Sequence, residues 1–168
     1  MALLASGISL RRWAGLLSAF TVAHGVTFGL ASMGWVTVSA ALVEPAIAGS
    51  IVLVSALHLL RIQVLLEWEL LLVFCLGLVH GLGFASAMRI EGAGQLIALS
   101  PYPATSIVSF NLGIEAGQCV VALALYALVQ ALSRFFPSKS YAVWQRMAGV
   151  LSLLVGTFWL IERVVLGA

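Results

Sequence analysis

Three ionisable side chains lie deep inside apolar runs: His24, His80 and Glu115. Each falls about eleven residues into its run, which at ~1.5 Å per helical residue is ~16 Å from the point of entry. That depth is near the midplane of a ~30 Å hydrocarbon layer. A charged side chain there costs at least ~2.5–3.5 kcal/mol on insertion scales, so such residues face a bundle interior and a partner. Asn111, Glu115 and Gln118 follow i, i+4, i+7 spacing and form one polar stripe. Two imidazoles, a carboxylate and one or two amide oxygens make a cation site. Imidazole with carboxylate suits borderline divalent ions such as Ni2+, Co2+ or Zn2+, and the lack of a thiolate argues against copper(I). Few protein ligands and partial hydration suit an ion that must leave as well as enter. The bland alternative is hydrogen-bond glue between helices, worth about 0.6 kcal/mol per contact on average. That return is small against the cost of burying a carboxylate.

Other polar residues have simpler readings. Glu44 precedes Pro45, a negative charge at a helix N-terminus with proline at the first helical position. Its sharper alternative is an ion collector at the outer mouth, and so Glu44 joins the candidate metal residues. Thr21 is expected to bond the carbonyl of the preceding turn. His58, within a turn of Arg61, reads as an interfacial residue or an inner exit ligand. Glu67 and Glu69 read as a solvated helix start, and Glu162-Arg163 as an exposed end. Gly113 and Gly117 form a GxxxG pair that lets a neighbouring helix approach closely. Gly77, His80, Gly81 and Phe84 share another face, with glycines leaving space around the ring. Cys75 and Cys119 lie in apolar runs without CxxC spacing and look like packing residues.

The elements that must position these groups follow from composition. Of 168 residues, 62% are apolar and 8% charged. Soluble domains carry about 25% charged residues, so this chain cannot cover a water-facing surface and uses lipid instead. A net charge of +2, scattered along the chain, excludes nucleic acid as a partner. The fold class is an all-α polytopic transmembrane helical bundle, a single domain over residues 1–168 with about five spans. The apolar runs predict helices over Trp13 to Val36, Pro45 to Leu60, Glu69 to Met88, Ala104 to Leu132 and Tyr141 to Leu166. The second run is short, and borrows Val38 to Val43 to cross the bilayer, giving 40–61. No ten-residue alternation suggests barrel strands.

Orientation comes from the basic residues. Arg11, Arg12, Arg61, Arg134, Lys139 and Arg146 fall on one side, and Arg89 and Arg163 on the other. The positive-inside rule places the first side and the N-terminus in the cytoplasm, and the C-terminus outside. Trp13, Trp68, Tyr141 and Trp144 then mark the inner interface, and Trp35, Tyr102 and Trp159 the outer one. The opening is not a secretory signal, because Arg11 and Arg12 follow the apolar residues instead of preceding them. It reads as the tail of a preceding helix. The connection from Arg89 to Pro103 is longer than a hairpin needs. It reads as a loop on the outer interface or, more sharply, as a lid over a central site.

Several segments occur in a telling order: Phe20-Thr21-Val22-Ala23-His24, Val43-Glu44 with Ser50-Ile51, Gly77-Leu78-Val79-His80-Gly81-Leu82-Gly83-Phe84-Ala85, and Phe110-Asn111-Leu112-Gly113-Ile114-Glu115-Ala116-Gly117-Gln118. Together they resemble the HupE/UreJ family of membrane proteins, in particular its second subgroup, from about Ser9 onward. Trp159-Leu160-Ile161-Glu162-Arg163 is similar to the family's last helix. The HGLGFA and FNLGIEAGQ segments are the specific parts. The resemblance implies nickel or cobalt permeation in support of hydrogenase or urease maturation, in a bacterial inner membrane. The residues matching the family's polar motifs are His24, Glu44, His80, Asn111, Glu115 and Gln118. Family members usually carry an upstream helix with an HxxxGxDH-type motif, often after an extracytoplasmic domain. This chain has neither, and Met1 to Ser6 stand where that helix would end. Another chain, or a second copy in a homo-oligomer, would then supply the missing helix. His58 falls where the resemblance leads one to expect a different polar residue, often Asn.

Three functions fit these residues. The first is a divalent-metal permease or its accessory, with His24, His80 and Glu115 binding and Asn111 and Gln118 supporting. The second is a metal-dependent intramembrane hydrolase with an open coordination position, although no GxSxG elbow accompanies Ser86. The third is a non-catalytic subunit whose polar stripe joins a partner chain.

Overall fold

A computed structural model describes residues 10–90, 100–133 and 138–166. The opening segment and the centre of the 89–103 connection, with its lid reading, lie outside the described residues. Five helices follow in order: α1 (Leu10–Ser32), α2 (Ala40–Leu59), α3 (Leu66–Ile90), α4 (Pro103–Ser133) and α5 (Ser138–Ile161), the last running into a π-helical turn at Glu162–Leu166. Each contains at least 20 residues of continuous apolar character, long enough to cross a membrane. Within hydrocarbon only a helix satisfies every backbone amide and carbonyl of such a segment by itself. Large apolar side chains such as Leu112, Val120, Leu151 and Phe158 stand exposed around the outside, where acyl chains replace water.

The helices pack mainly as a row, α5–α2–α3–α1–α4, with the closest association between α1 and α3. That pair runs parallel in a constant register. Arg12 meets Glu69, the Phe20 carbonyl meets Gly77, and the His24 carbonyl meets Gly81. Gly77 and Gly81 have no side chain to hold the backbones apart, so α3 lies directly on the α1 main chain. Thr27 Oγ1 then donates to the Leu78 carbonyl at 2.8 Å, a direct bond between the two helices. Arg12 Nε donates to Glu69 Oε2 at 2.9 Å and closes one end of the pair. Glu69 is therefore half-buried and partnered, not a solvated helix start.

The α2–α5 pair runs antiparallel. Gly149 faces His58 and Leu59, Gly156 faces Ile51, and Arg163 Nη1 pairs with Glu44 Oε2 at 3.0 Å. The Glu162-Arg163 segment is thus tied to α2 instead of forming a free end. Each ion pair joins residues at one end of the bundle, as five alternating spans require. In α4 none of the residues from Pro103 to Ala124 is buried, and the helix packs chiefly on α1, with Phe110 also reaching Phe84 of α3. Nothing lies within 4 Å of a Cβ built at Gly113 or Gly117, so within the described residues no helix uses that GxxxG pair.

Helix limits differ from the expected ones for local reasons. The first helix stops at Ser32, before Val36, because Gly34 takes φ +76°. Its amide bonds the Ala31 carbonyl (3.1 Å) and the Trp35 amide bonds the Leu30 carbonyl (2.9 Å), a glycine C-terminal cap. Similar bonds end α2, with Arg61 at φ 53°. The second helix starts at Ala40 and carries Pro45 inside it, so Pro45 is not the first helical residue. Gly34→Ala is expected to destabilise the protein by about 1 kcal/mol, because alanine resists the left-handed region. Reversible unfolding in mixed detergent micelles measures it.

Candidate functional site

The α1–α3 register sets the level of the histidines. Since Gly77 and Gly81 sit on Phe20 and His24, His80 on α3 is level with Ala23 and His24 on α1. The phenyl of Phe20 lies between them, 6.0 Å from the His24 ring and 5.4 Å from the His80 ring. His24 is 4% exposed, and neither of its ring nitrogens has a hydrogen-bond partner. Its ring stacks between Phe20 and Phe28, with Phe84 meeting it edge-on.

The α1–α4 register sets the level of the polar stripe. These helices run antiparallel, with Gly29 against Ile107 and Gly25 against Asn111. A Cβ at Gly25 would come within 3.0 Å of the Asn111 amide. Asn111 therefore shares the level of the two histidines. Glu115 lies one turn further toward the Arg12–Glu69 end, where Ser18 Oγ donates to its Oε1 at 3.5 Å. Gln118 follows it on the same stripe, its Oε1 buried and without a partner. The sequence suggested one depth for His24, His80 and Glu115; the packing of α4 on Gly25 and Gly29 instead puts Asn111 there and Glu115 ~6 Å away along the axis.

Hydrogen bonding decides which donors and acceptors of these groups remain open. His80 Nδ1 lies 2.8 Å from the Leu76 carbonyl, which can only accept, so Nδ1 carries the proton and Nε2 keeps its lone pair. Asn111 Nδ2 donates to the Ile107 carbonyl at 2.9 Å, leaving Oδ1 buried and free. Each side chain thus spends a donor on its own helix and keeps an acceptor open. Metal-binding histidines commonly have the second nitrogen held in this way. Among the described residues no three His, Cys, Asp or Glu side chains come together tightly enough to hold one ion by themselves. The histidine level therefore provides two imidazoles and an amide oxygen, with room in an ion's shell for water.

The two directions away from this level differ. Toward the Gly34 end, Phe28, Phe84 and Phe110 close the junction of α1, α3 and α4. Phe28 and Phe110 stack at 4.7 Å, and Phe84 and Phe110 lie 5.2 Å apart. Phe28 is fully buried, and Ala31, Ala85, Leu82, Met88 and Ile107 complete this apolar plug. Toward the Arg12–Glu69 end, the seam is polar. Thr21 Oγ1 is buried there without a partner, so it does not bond the preceding turn as expected.

Of the six residues singled out from the sequence, His24, His80 and Asn111 share one level, and Glu115 and Gln118 continue the same seam. Glu44 is elsewhere, paired with Arg163 at the end of α2. His58 packs against Gly149 of α5 and is likewise away from the seam. Sequence reasoning missed Thr27, whose signal was its position three residues after His24 on the face that meets α3.

The family model described as HupE / UreJ protein matches residues 1–163. Among curated proteins no match was found. No solved structure matches either.

Proposed function

The chain belongs to the HupE/UreJ family, and from that premise we propose that it is an integral membrane permease, or accessory of one, for a divalent transition metal of the nickel and cobalt type. The observation that carries this reading is the set of free acceptors at one level. His24, His80 Nε2 and Asn111 Oδ1 lie at one level of the bundle, each with an acceptor that no hydrogen bond uses. Nitrogen and oxygen acceptors of this kind suit a borderline divalent cation. Glu115 supplies the negative charge one turn away and draws the ion along the seam. The ion stays partly hydrated because the protein offers few ligands, which keeps release possible. The aromatic plug on one side and the polar seam on the other give the path its direction, toward the Arg12–Glu69 end. The charge bias of the basic residues makes that end cytoplasmic in an inner membrane.

The test is uptake of Ni2+ or Co2+ into proteoliposomes of purified protein, with Glu115→Gln beside the wild type. The wild type is expected to take up metal above empty liposomes, and Glu115→Gln to lose at least about tenfold of that rate, equivalent to ~1.4 kcal/mol, since it removes the negative charge beside the histidine level. Equal uptake by protein-free liposomes and wild-type proteoliposomes rules the reading out. So does full uptake by the glutamine variant.

A further inference from the structure

We propose that the α1–α4 seam holds a second cation station, made of oxygen alone, one helical turn from the histidine level toward the Arg12–Glu69 end. Its ligands are Thr21 and Ser18 from α1, and Glu115 and Gln118 from α4. This rests on the reading of the chain as a metal permease and names how the ion leaves its nitrogen ligands.

The register places these four residues at two adjacent levels of the α1–α4 seam. With Gly29 against Ile107 and Gly25 against Asn111, each further turn down α1 meets one turn up α4. Thr21 then faces the level of Glu115, and Ser18 the level of Gln118. The bond from Ser18 Oγ to Glu115 Oε1 crosses between these two levels. Two independent atoms point to a ligand at these levels. Thr21, 7% exposed, has its hydroxyl buried without any partner. Gln118 Oε1 is buried and unpartnered as well. A buried hydroxyl or amide oxygen without a hydrogen bond bears an uncompensated desolvation cost, so two such atoms beside a carboxylate are not neutral packing.

The chemistry of this donor set differs from that of the histidine level. It has no imidazole and no thiolate. Carboxylate, hydroxyl and amide oxygens favour harder divalent ions and tolerate hydrated ones. A borderline ion held by two imidazoles would bind here more weakly. Two unequal stations a turn apart, ~5 Å, let an ion step from a selective site to a releasing one. The single negative charge of Glu115 lies at the second station, so the step away from neutral imidazoles is toward the charge.

The experiment uses Mn2+ as a hard probe, with free ion counted by its electron paramagnetic resonance signal, on purified protein lacking the nitrogen ligands. In His24→Ala/His80→Ala, about one Mn2+ per chain is expected to remain bound. His80→Ala alone serves as a second background if the double variant does not fold. Glu115→Gln in that background is expected to weaken Mn2+ at least about tenfold. Thr21→Val and Gln118→Leu are each expected to weaken it about threefold or more. No Mn2+ bound in either folded background overturns the station. So does Mn2+ binding that Thr21→Val and Gln118→Leu both leave unchanged, since Glu115 would then act alone. Ni2+ binding by the wild type is measured beside it. Ni2+ lost with His80 but no Mn2+ in the double variant removes the second station and keeps the permease reading. Mn2+ held by the double variant without nickel binding by the wild type does the reverse.

Discussion

Gly81→Val is expected to separate α1 from α3 and to leave little folded protein. A Cβ at position 81 would overlap the His24 carbonyl oxygen and Thr27 Oγ1. The carbonyl belongs to the helix backbone and cannot rotate away. Thr27 is held by its bond to the Leu78 carbonyl. Relief requires the two helices to move apart, which breaks that bond and shifts His24 relative to His80. Forcing added atoms into a packed contact costs about 1–3 kcal/mol, occasionally more, and a branched side chain against backbone belongs at or above the upper end. Two other glycines calibrate the claim. Gly83→Ala meets chiefly the tip of Ile47, a flexible end, and is expected to cost under about 1 kcal/mol. Gly113→Ala meets nothing within 4 Å and is expected to be neutral. Unfolding titrations in mixed micelles rank the three variants. Equal stabilities for Gly81→Val and Gly113→Ala would mean that α1 and α3 do not touch through glycine.

The same contact shows what was legible beforehand and what was not. Gly77 and Gly81 announce a close approach by spacing alone, and so did Gly113 and Gly117. Only the first pair meets a helix among the described residues. Spacing marks a surface that can be approached closely; it does not say which partner takes it. The five spans were legible because lipid demands long apolar runs, a requirement that acts on each run separately. The end of α1 was legible in principle, since Gly34 is a glycine past the last turn. Trp35 and Val36 continued the apolar run and hid the stop. Register was out of reach. Arg12 and Glu69 are 57 residues apart; Arg12 read as a basic charge of the cytoplasmic side and Glu69 as a solvated helix start. Asn111 and Glu115 are four apart on one stripe, and only the packing of Gly25 and Gly29 decides which stands level with His24. The hydroxyl of Thr21 looked like an ordinary membrane threonine, and only the missing partner reveals it.

His80→Ala is expected to lower affinity for Ni2+ by about 100-fold or more while costing the metal-free fold only about 0.5–1.5 kcal/mol, the worth of its edge contact with Phe20. Losing one of two imidazoles removes a ligand outright, and even changes behind a ligand cost about 10–100-fold. The stability half of the prediction decides between a site and interhelical glue. Glue requires a hydrogen bond from one helix to another, worth about 0.6 kcal/mol on average in a bilayer. His80 makes none that way: its Nδ1 proton goes to Leu76, in its own helix. His24 makes no hydrogen bond at all. The helix keeps its backbone bonds when the ring at position 80 is removed, and the contacts of Gly77 and Gly81 with α1 are untouched. The ring's loss is therefore felt far more by the guest than by the fold. Calorimetric Ni2+ titration and metal-free unfolding of the same preparation measure the two quantities. A variant that binds nickel normally but unfolds more easily would assign His80 to the architecture, and the histidine level would lose its claim on an ion.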